Sequence, residues 1–103
     1  MSSNSIAAER VWFAVAPDDS EHEVVIRVMV PVKADGGEWR AEVSVGVVDS
    51  EPHSIAGMDS WQAICLGMGF AAMRLSHLSG DGWKFYWERG GEPATPEDLA
   101  GAS

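Results

Sequence analysis

Apolar and polar positions alternate from the start of the chain. Between Ile6 and Ala16, Val11, Phe13 and Val15 share one side of an extended segment. Arg10, Trp12 and Ala14 share the other, so the segment predicts a first strand. Pro17-Asp18-Asp19-Ser20 carries turn chemistry, because Asp and Ser side chains bond nearby backbone. From Glu23 to Lys33 the even positions are Val24, Ile26, Val28, Val30 and Val32. All are β-branched, which predicts a second strand with that face buried. Pro31 cannot donate to a ladder and marks an edge or a bulge. After the turn Ala34-Asp35-Gly36-Gly37, a third strand runs from Glu38 to Val48, with Trp39, Ala41, Val43, Val45 and Val47 facing inward. The second and third strands form an antiparallel hairpin. Asp49 to Gly57, which contains Pro52, reads as a loop.

The period then changes. Asp59 stands at a helix N-cap, and Gln62 follows at capping-box spacing. The helix runs to about Leu78, and Gly80 or Gly82 ends it. A last strand places Trp83, Phe85 and Trp87 on one side and Lys84, Tyr86 and Glu88 on the other. The order β-β-β-α-β predicts an α+β domain, a four-stranded antiparallel sheet with one long helix packed on one face. Residues 6–89 make that domain. Residues 1–5 are expected to be a disordered tail and 90–103 a mobile acidic one, with one short helical turn at Thr95-Pro96-Glu97-Asp98.

The helix is apolar nearly all round. On a wheel, Trp61, Ile64, Cys65, Met68, Ala72 and Leu75 form the stripe expected to face the sheet. Leu66, Phe70, Met73 and His77 lie nearly opposite, with the small residues Ala63, Gly67 and Ala71 between. One sheet needs one stripe, so the second predicts further burial. A second copy of the chain is the simplest cover, with the small row admitting a close partner. The alternative is cover by the segment after Gly90 or by the loop from Asp49 to Gly57. Trp12 is expected to be exposed and joins Leu66, Phe70, Met73, His77, Ala63 and Gly67 as a candidate interface residue.

Charge narrows the partners. The 103 residues hold 16 acids and 7 Lys or Arg, a net charge of −9. Duplex binding needs clustered cations, so nucleic acid is excluded and a basic protein partner is favoured. No segment has the basic and apolar regions of a targeting signal, and no apolar run reaches bilayer length, which predicts no membrane contact and a cytoplasmic location. One cysteine excludes an internal disulfide and a multi-thiolate metal site.

Candidate chemistry is sparse. Gly67-Met68-Gly69-Phe70-Ala71-Ala72 matches a dinucleotide fingerprint in letters, but lies in mid-helix rather than in a strand-to-helix turn. Cys65 and His77 are twelve residues apart, about 18 Å along a helix, too far for a dyad. Cys65 is expected in the core. His22, His53 and His77 share no ligand spacing. Asp18, Asp19, Glu21 and Glu23 form one acidic cluster, and Glu88, Glu92, Glu97 and Asp98 another. Trp39, Trp61, Trp83 and Trp87 fall on inward stripes. No catalytic, cofactor or metal residue is assigned.

Ile6-Ala7-Ala8-Glu9-Arg10, Gly37-Glu38-Trp39-Arg40, the run from Ile55 to Ala63 and the closing Trp-rich strand together resemble a group of small bacterial proteins classed as a domain of unknown function. The likeness covers residues 6–88, and Gly57, Asp59, Ser60, Gln62 and Ala63 are its most specific part. It implies the fold and a bacterial cytoplasmic origin, with no activity attached. The expected function is a non-enzymatic interaction protein, of immunity or regulatory type, that binds a basic partner and self-associates. The alternative is a small-ligand binder or minor enzyme with a pocket between sheet and helix, lined by Trp61, Met68, Trp83 and Phe85.

Overall fold

The computed structural model describes residues 5–47, 49 and 51–100. Strands β1 (Ile6–Val15), β2 (Glu21–Met29), β3 (Val32–Lys33), β4 (Trp39–Val45) and β5 (His53–Gly57) precede helix α1 (Ser60–Gly80). Strand β6 (Lys84–Tyr86) and the short helix α2 (Pro96–Ala100) follow. The architecture is α+β, with an antiparallel sheet covered on one face by α1.

The sheet has six strands rather than four, in the order β3-β4-β2-β1-β6 with β5 also on β4. Two features of the backbone produce the excess. Pro31 breaks the second strand, so β3 resumes on β4 with its register moved by one: Val28 faces Val43, and Val32 faces Arg40. The expected loop from Asp49 to Gly57 is in part a strand, β5, which pairs with β4 from Trp39–Gly57 to Val43–His53. Trp39 and Arg40 pair with both β3 and β5, so these two lie on opposite edges of β4.

A three-residue turn decides which face of β1 is buried. Ala16 N donates to Ser20 O at 2.8 Å, and Asp19 N donates to Ala16 O at 2.8 Å with Asp19 at φ +71°. A type I turn plus one left-handed residue gives this closure. Ala14 then faces His22 and Trp12 faces Val24, even against even. Because Val24, Ile26 and Val28 are core, Trp12 is core too, at 1% exposure. The expectation of an exposed Trp12 is therefore wrong, and Val11, Phe13 and Val15 take the open face. In β4, Ala41, Val43 and Val45 are buried as expected, but Val47 leaves the series at φ +81° and is exposed.

The helix turns a different stripe to the sheet than its side-chain sizes suggested. Ala63, Gly67, Ala71, Leu75 and Leu78 are buried. A Cβ on Gly67 would stand 3.0 Å from Val43 Cγ2 and 3.4 Å from Val28 Cγ1. The small row lets the helix axis settle onto β-branched valines, and larger side chains would hold it off. Gly57 serves the same close approach at the end of β5, where a Cβ would fall 2.5 Å from Ala63 N. Asp59 caps the helix as expected, accepting from Gln62 N at 2.8 Å, but the return bond of the expected capping box is shifted by one residue, Gln62 Oε1 accepting from Met58 N at 2.6 Å rather than from Asp59 N. Gly82, at φ +106°, ends the helix with Trp83 N donating to Leu78 O.

The expected mobile tail is instead docked over residues 90–100. Trp87 N donates to Glu92 O, and Ala94 N donates to Phe85 O, adding a bridge of Pro93 to Tyr86 beyond β6. Ala94 is buried, and Leu99 packs on the core. Thr95 N donates to Asp98 Oδ2 at 2.9 Å and Pro96 opens α2, the short helical turn foreseen at Thr95-Pro96-Glu97-Asp98. At the other end Val30 N donates to Ser5 O. The expectations for residues 1–4 and 101–103 lie outside the described residues.

Candidate functional site

With the small row turned inward, several large apolar side chains of α1 point out, while Leu75 and Leu78 stay buried. Met58 is 83% exposed and Trp61 79%, and Leu66 and Met73 are about half exposed at 47% and 48%. Cys65, expected in the core, is exposed among them. Stepping about 100° per residue places Gly69 at the middle of this outer face, opposite the buried row. A Cβ on Gly69 would meet nothing within 4 Å. Four of the large apolar residues that face solvent thus belong to one helix and the turn before it.

Both flanks of this face are closed by the chain itself. On one, Arg74 forms a two-point pair with Asp49, at 2.6 Å from Nη2 and 3.0 Å from Nε to Oδ1. Those hydrogen bonds hold the Arg74 guanidinium above its ordinary pKa. His53 reaches Asp49 Oδ2 at 3.3 Å and lies 4.7 Å from the Phe70 ring. Phe70 is therefore half-buried under β5 and the Asp49 turn. On the other flank Leu99 of α2 stands beside Met68 and Ala71. Neither closure covers Leu66, Met73 or His77, the part of the second stripe that stays open.

The predicted interface residues divide accordingly. Leu66, Met73 and His77 lie on the exposed side and Phe70 lies at its margin. Ala63 and Gly67 face the sheet, and Trp12 lies in the core. Met58, without a predicted role, and Trp61, assigned to a pocket, are the large apolar residues that sequence reasoning missed for this surface. The signal for Trp61 was available, since it stands two positions after the cap, where a first-turn side chain projects beyond the sheet. Electrostatically the face is distinctive. From Ser60 to Gly80 there is no Asp or Glu, and Arg74 and His77 are the basic residues.

The predicted pocket is not assembled. Trp83 stacks on the buried Phe85, with ring centroids 6.4 Å apart, while Trp61 is in solvent. Met68 instead lines a recess of about 120 Å³ with Ile26, Val28 and Leu99. Small-molecule sites are typically larger, about 300–1,000 Å³.

One polar network has the residue types of a catalytic triad in the wrong order. Ser20 Oγ lies 2.5 Å from Asp18 Oδ1 and 2.8 Å from His22 Nε2. A nucleophilic serine gives its proton to the imidazole, with the carboxylate behind the ring. Here the carboxylate accepts from both Ser20 Oγ and Ser20 N, at 2.9 Å for the latter, and these bonds hold Asp18 below the usual carboxylate range. The network fastens the β1–β2 turn. Among the described residues no group of three or more His, Cys, Asp or Glu side chains is placed to hold a metal ion. Among them, too, no helix is long and apolar enough to cross a membrane.

No curated protein and no solved structure matches the chain. The family model described as a domain of unknown function (DUF6968) matches residues 8–94, from β1 to the bridge beyond β6. That span holds α1 and the sheet except the first two residues of β1, and the chain belongs to this family.

Proposed function

We propose that the protein is a non-enzymatic interaction module that self-associates through the outer face of α1. The observation that carries this reading is the exposure of Met58, Trp61, Leu66 and Met73 on one helix face. The fold leaves Met58 and Trp61 largely in water and about half of Leu66 and Met73, and that contact is unfavourable. A second copy is the occupant that the charge distribution supports. All 16 acids lie outside α1, so two copies meeting along the helix place few carboxylates in the contact, with Asp59 at its Met58 end. A −9 chain would repel itself over most other surfaces.

The size of the face sets the strength. Twenty-one helical residues span about 31 Å and present a strip about 10 Å wide. That is about 300 Å², against about 800 Å² per partner in a stable complex. The expected dimer is therefore weak, with a Kd on the order of 100 µM.

Sedimentation of the wild type and Leu66→Glu across that concentration range tests the reading. The wild type should move toward the dimer as concentration rises, and Leu66→Glu should remain a monomer with unchanged circular dichroism. A wild type that stays monomeric throughout removes self-association. Phe70→Glu is the poorer probe, because Phe70 also packs on the core and His53.

A further inference from the structure

Strand β1 has an edge that the described residues do not fill. It pairs with β2 along its length, but with β6 only from Phe13 to Val15. Beyond Tyr86 the backbone leaves the sheet, with Trp87 N donating to Glu92 O and Gly91 N to Glu88 O. Backbone groups alternate in direction along a strand. Ala16 N donates to β2 through Ser20 O, and the register is unbroken from Ala8 to Val15, so even residues bond toward β2. Odd residues bond the other way. Phe13 and Val15 meet Tyr86 and Lys84, while Val11 and Glu9 face the vacated position.

A recess of about 280 Å³ opens beside this edge, lined by Val11, Phe13, Trp87, Glu23, Glu88 and Arg89 over Trp12. Glu23 and Glu88 have no cationic partner among the described residues. The aromatic walls already receive guanidinium groups from the same chain. Arg89 lies 6.0 Å from the Phe13 ring centre and pairs with Glu21 at 3.1 Å. Arg10 lies 4.8 Å from the Trp87 ring centre while donating to Asp98 O. Trp12 is buried, and its Nε1 has no hydrogen-bond partner among the described residues.

We propose that the open edge of β1 at Glu9 and Val11 takes up an extended basic segment of another protein as an added strand, with a Lys or Arg side chain between Phe13 and Trp87 and facing Glu23 and Glu88. Main-chain bonds supply the pairing and the recess supplies the preference for a cation. Charge decides against a second copy at this edge, since it would bring unpaired glutamates of two −9 chains together. The surface is separate from the outer face of α1, so this assignment stands or falls independently of self-association.

The test uses a fluorescein-labelled eight-residue peptide alternating Lys and Val, read by anisotropy. The controls are a Glu/Val peptide and a Lys/Val peptide of equal charge interrupted by proline. Val11→Pro removes an N–H that faces away from β2 and meets no strand among the described residues, and Glu23→Gln/Glu88→Gln removes the charge without a cationic partner among them. The basic peptide should bind the wild type, and both variants should bind it at least tenfold more weakly. Amide exchange at Glu9 and Val11 of the wild type should slow when the peptide is added, a readout that needs no variant to fold. Equal binding of the proline-interrupted or the acidic peptide, unchanged exchange at both amides, or a Val11→Pro variant altered in oligomeric state would each overturn the assignment.

Discussion

Gly67 and Gly69 stand two residues apart on α1, and replacing each by alanine should change stability in opposite directions. Both variants gain the same intrinsic term, about 0.8–1.0 kcal/mol for alanine over glycine in a helix interior. At Gly69 nothing opposes it, because the added Cβ finds no atom within 4 Å. The gain should appear in full and raise Tm by about 4–8 °C for a domain of this size. At Gly67 the same methyl lands 3.0 Å from Val43 Cγ2 and 3.4 Å from Val28 Cγ1. Val43 is fully buried on a central strand and has little room to yield. Overpacking of this kind costs about 1–3 kcal/mol, so Gly67→Ala should fall between neutral and about 2 kcal/mol destabilised. The quantity to measure is the difference between the variants, about 1–3 kcal/mol. Urea unfolding at low micromolar protein reads it while keeping self-association out of the result. Equal gains from both substitutions would mean that the small row does not face the sheet. The orientation of α1 argued above, and the outward placement of Leu66 and Met73, would then be wrong.

The helix start offers a second check: Asp59→Ala should lower unfolding free energy by about 0.5–2 kcal/mol in the same assay, since the Gln62 N bond at 2.8 Å is lost. The β1–β2 turn offers a third, through pH. Ser20 O–H and N–H hold Asp18 below the usual carboxylate range, so their contribution is present above the unfolded pKa and disappears as pH falls through the lower folded one. The Tm difference between wild type and Ser20→Ala should therefore be steady near neutrality and shrink below about pH 4. A difference that persists undiminished into strong acid would show that Ser20 acts on the turn without the Asp18 charge.

Elements whose signal is local were legible in the chain. Asp59 and Gln62 announce the cap, the even-numbered valines of β2 announce a buried face, and Gly36-Gly37 announces a turn. Features that depend on a choice between two equal patterns were not. In β1 both faces are apolar, so period two identifies a strand without saying which side is inside. The missing step was the length of the turn. Once Pro17, Asp18 and Asp19 are its three residues, Trp12 must share a face with Val24, whose burial was already legible. β5 carries too little pattern to be found at all, because His53, Ser54 and Ala56 are polar or small and Gly57 is buried for want of space rather than for its own apolar area. The docked segment from Gly91 to Leu99 rests mainly on backbone bonds and two apolar contacts, Ala94 and Leu99, which an acidic, proline-containing sequence does not advertise.

The helix failed in a more informative way. A helix apolar on every side has no single amphipathic direction, and ranking its stripes by side-chain size assumes that the largest residues belong inside. That assumption holds when the facing surface leaves room. Here the facing surface is Val28, Ala41 and Val43, and the helix comes close enough that glycine at position 67 already fills the gap. The inner face is set by the narrowest separation the sheet permits, and the bulky residues are displaced outward by the same constraint. Met58, Trp61, Leu66 and Met73 are left on the surface, about half exposed or more, because the close-packed inner face has no space for them. Their exposure is the ground on which self-association through α1 is proposed. Under that proposal, the absence of carboxylates from α1 on a chain of net charge −9 lowers the repulsion between two copies that meet there.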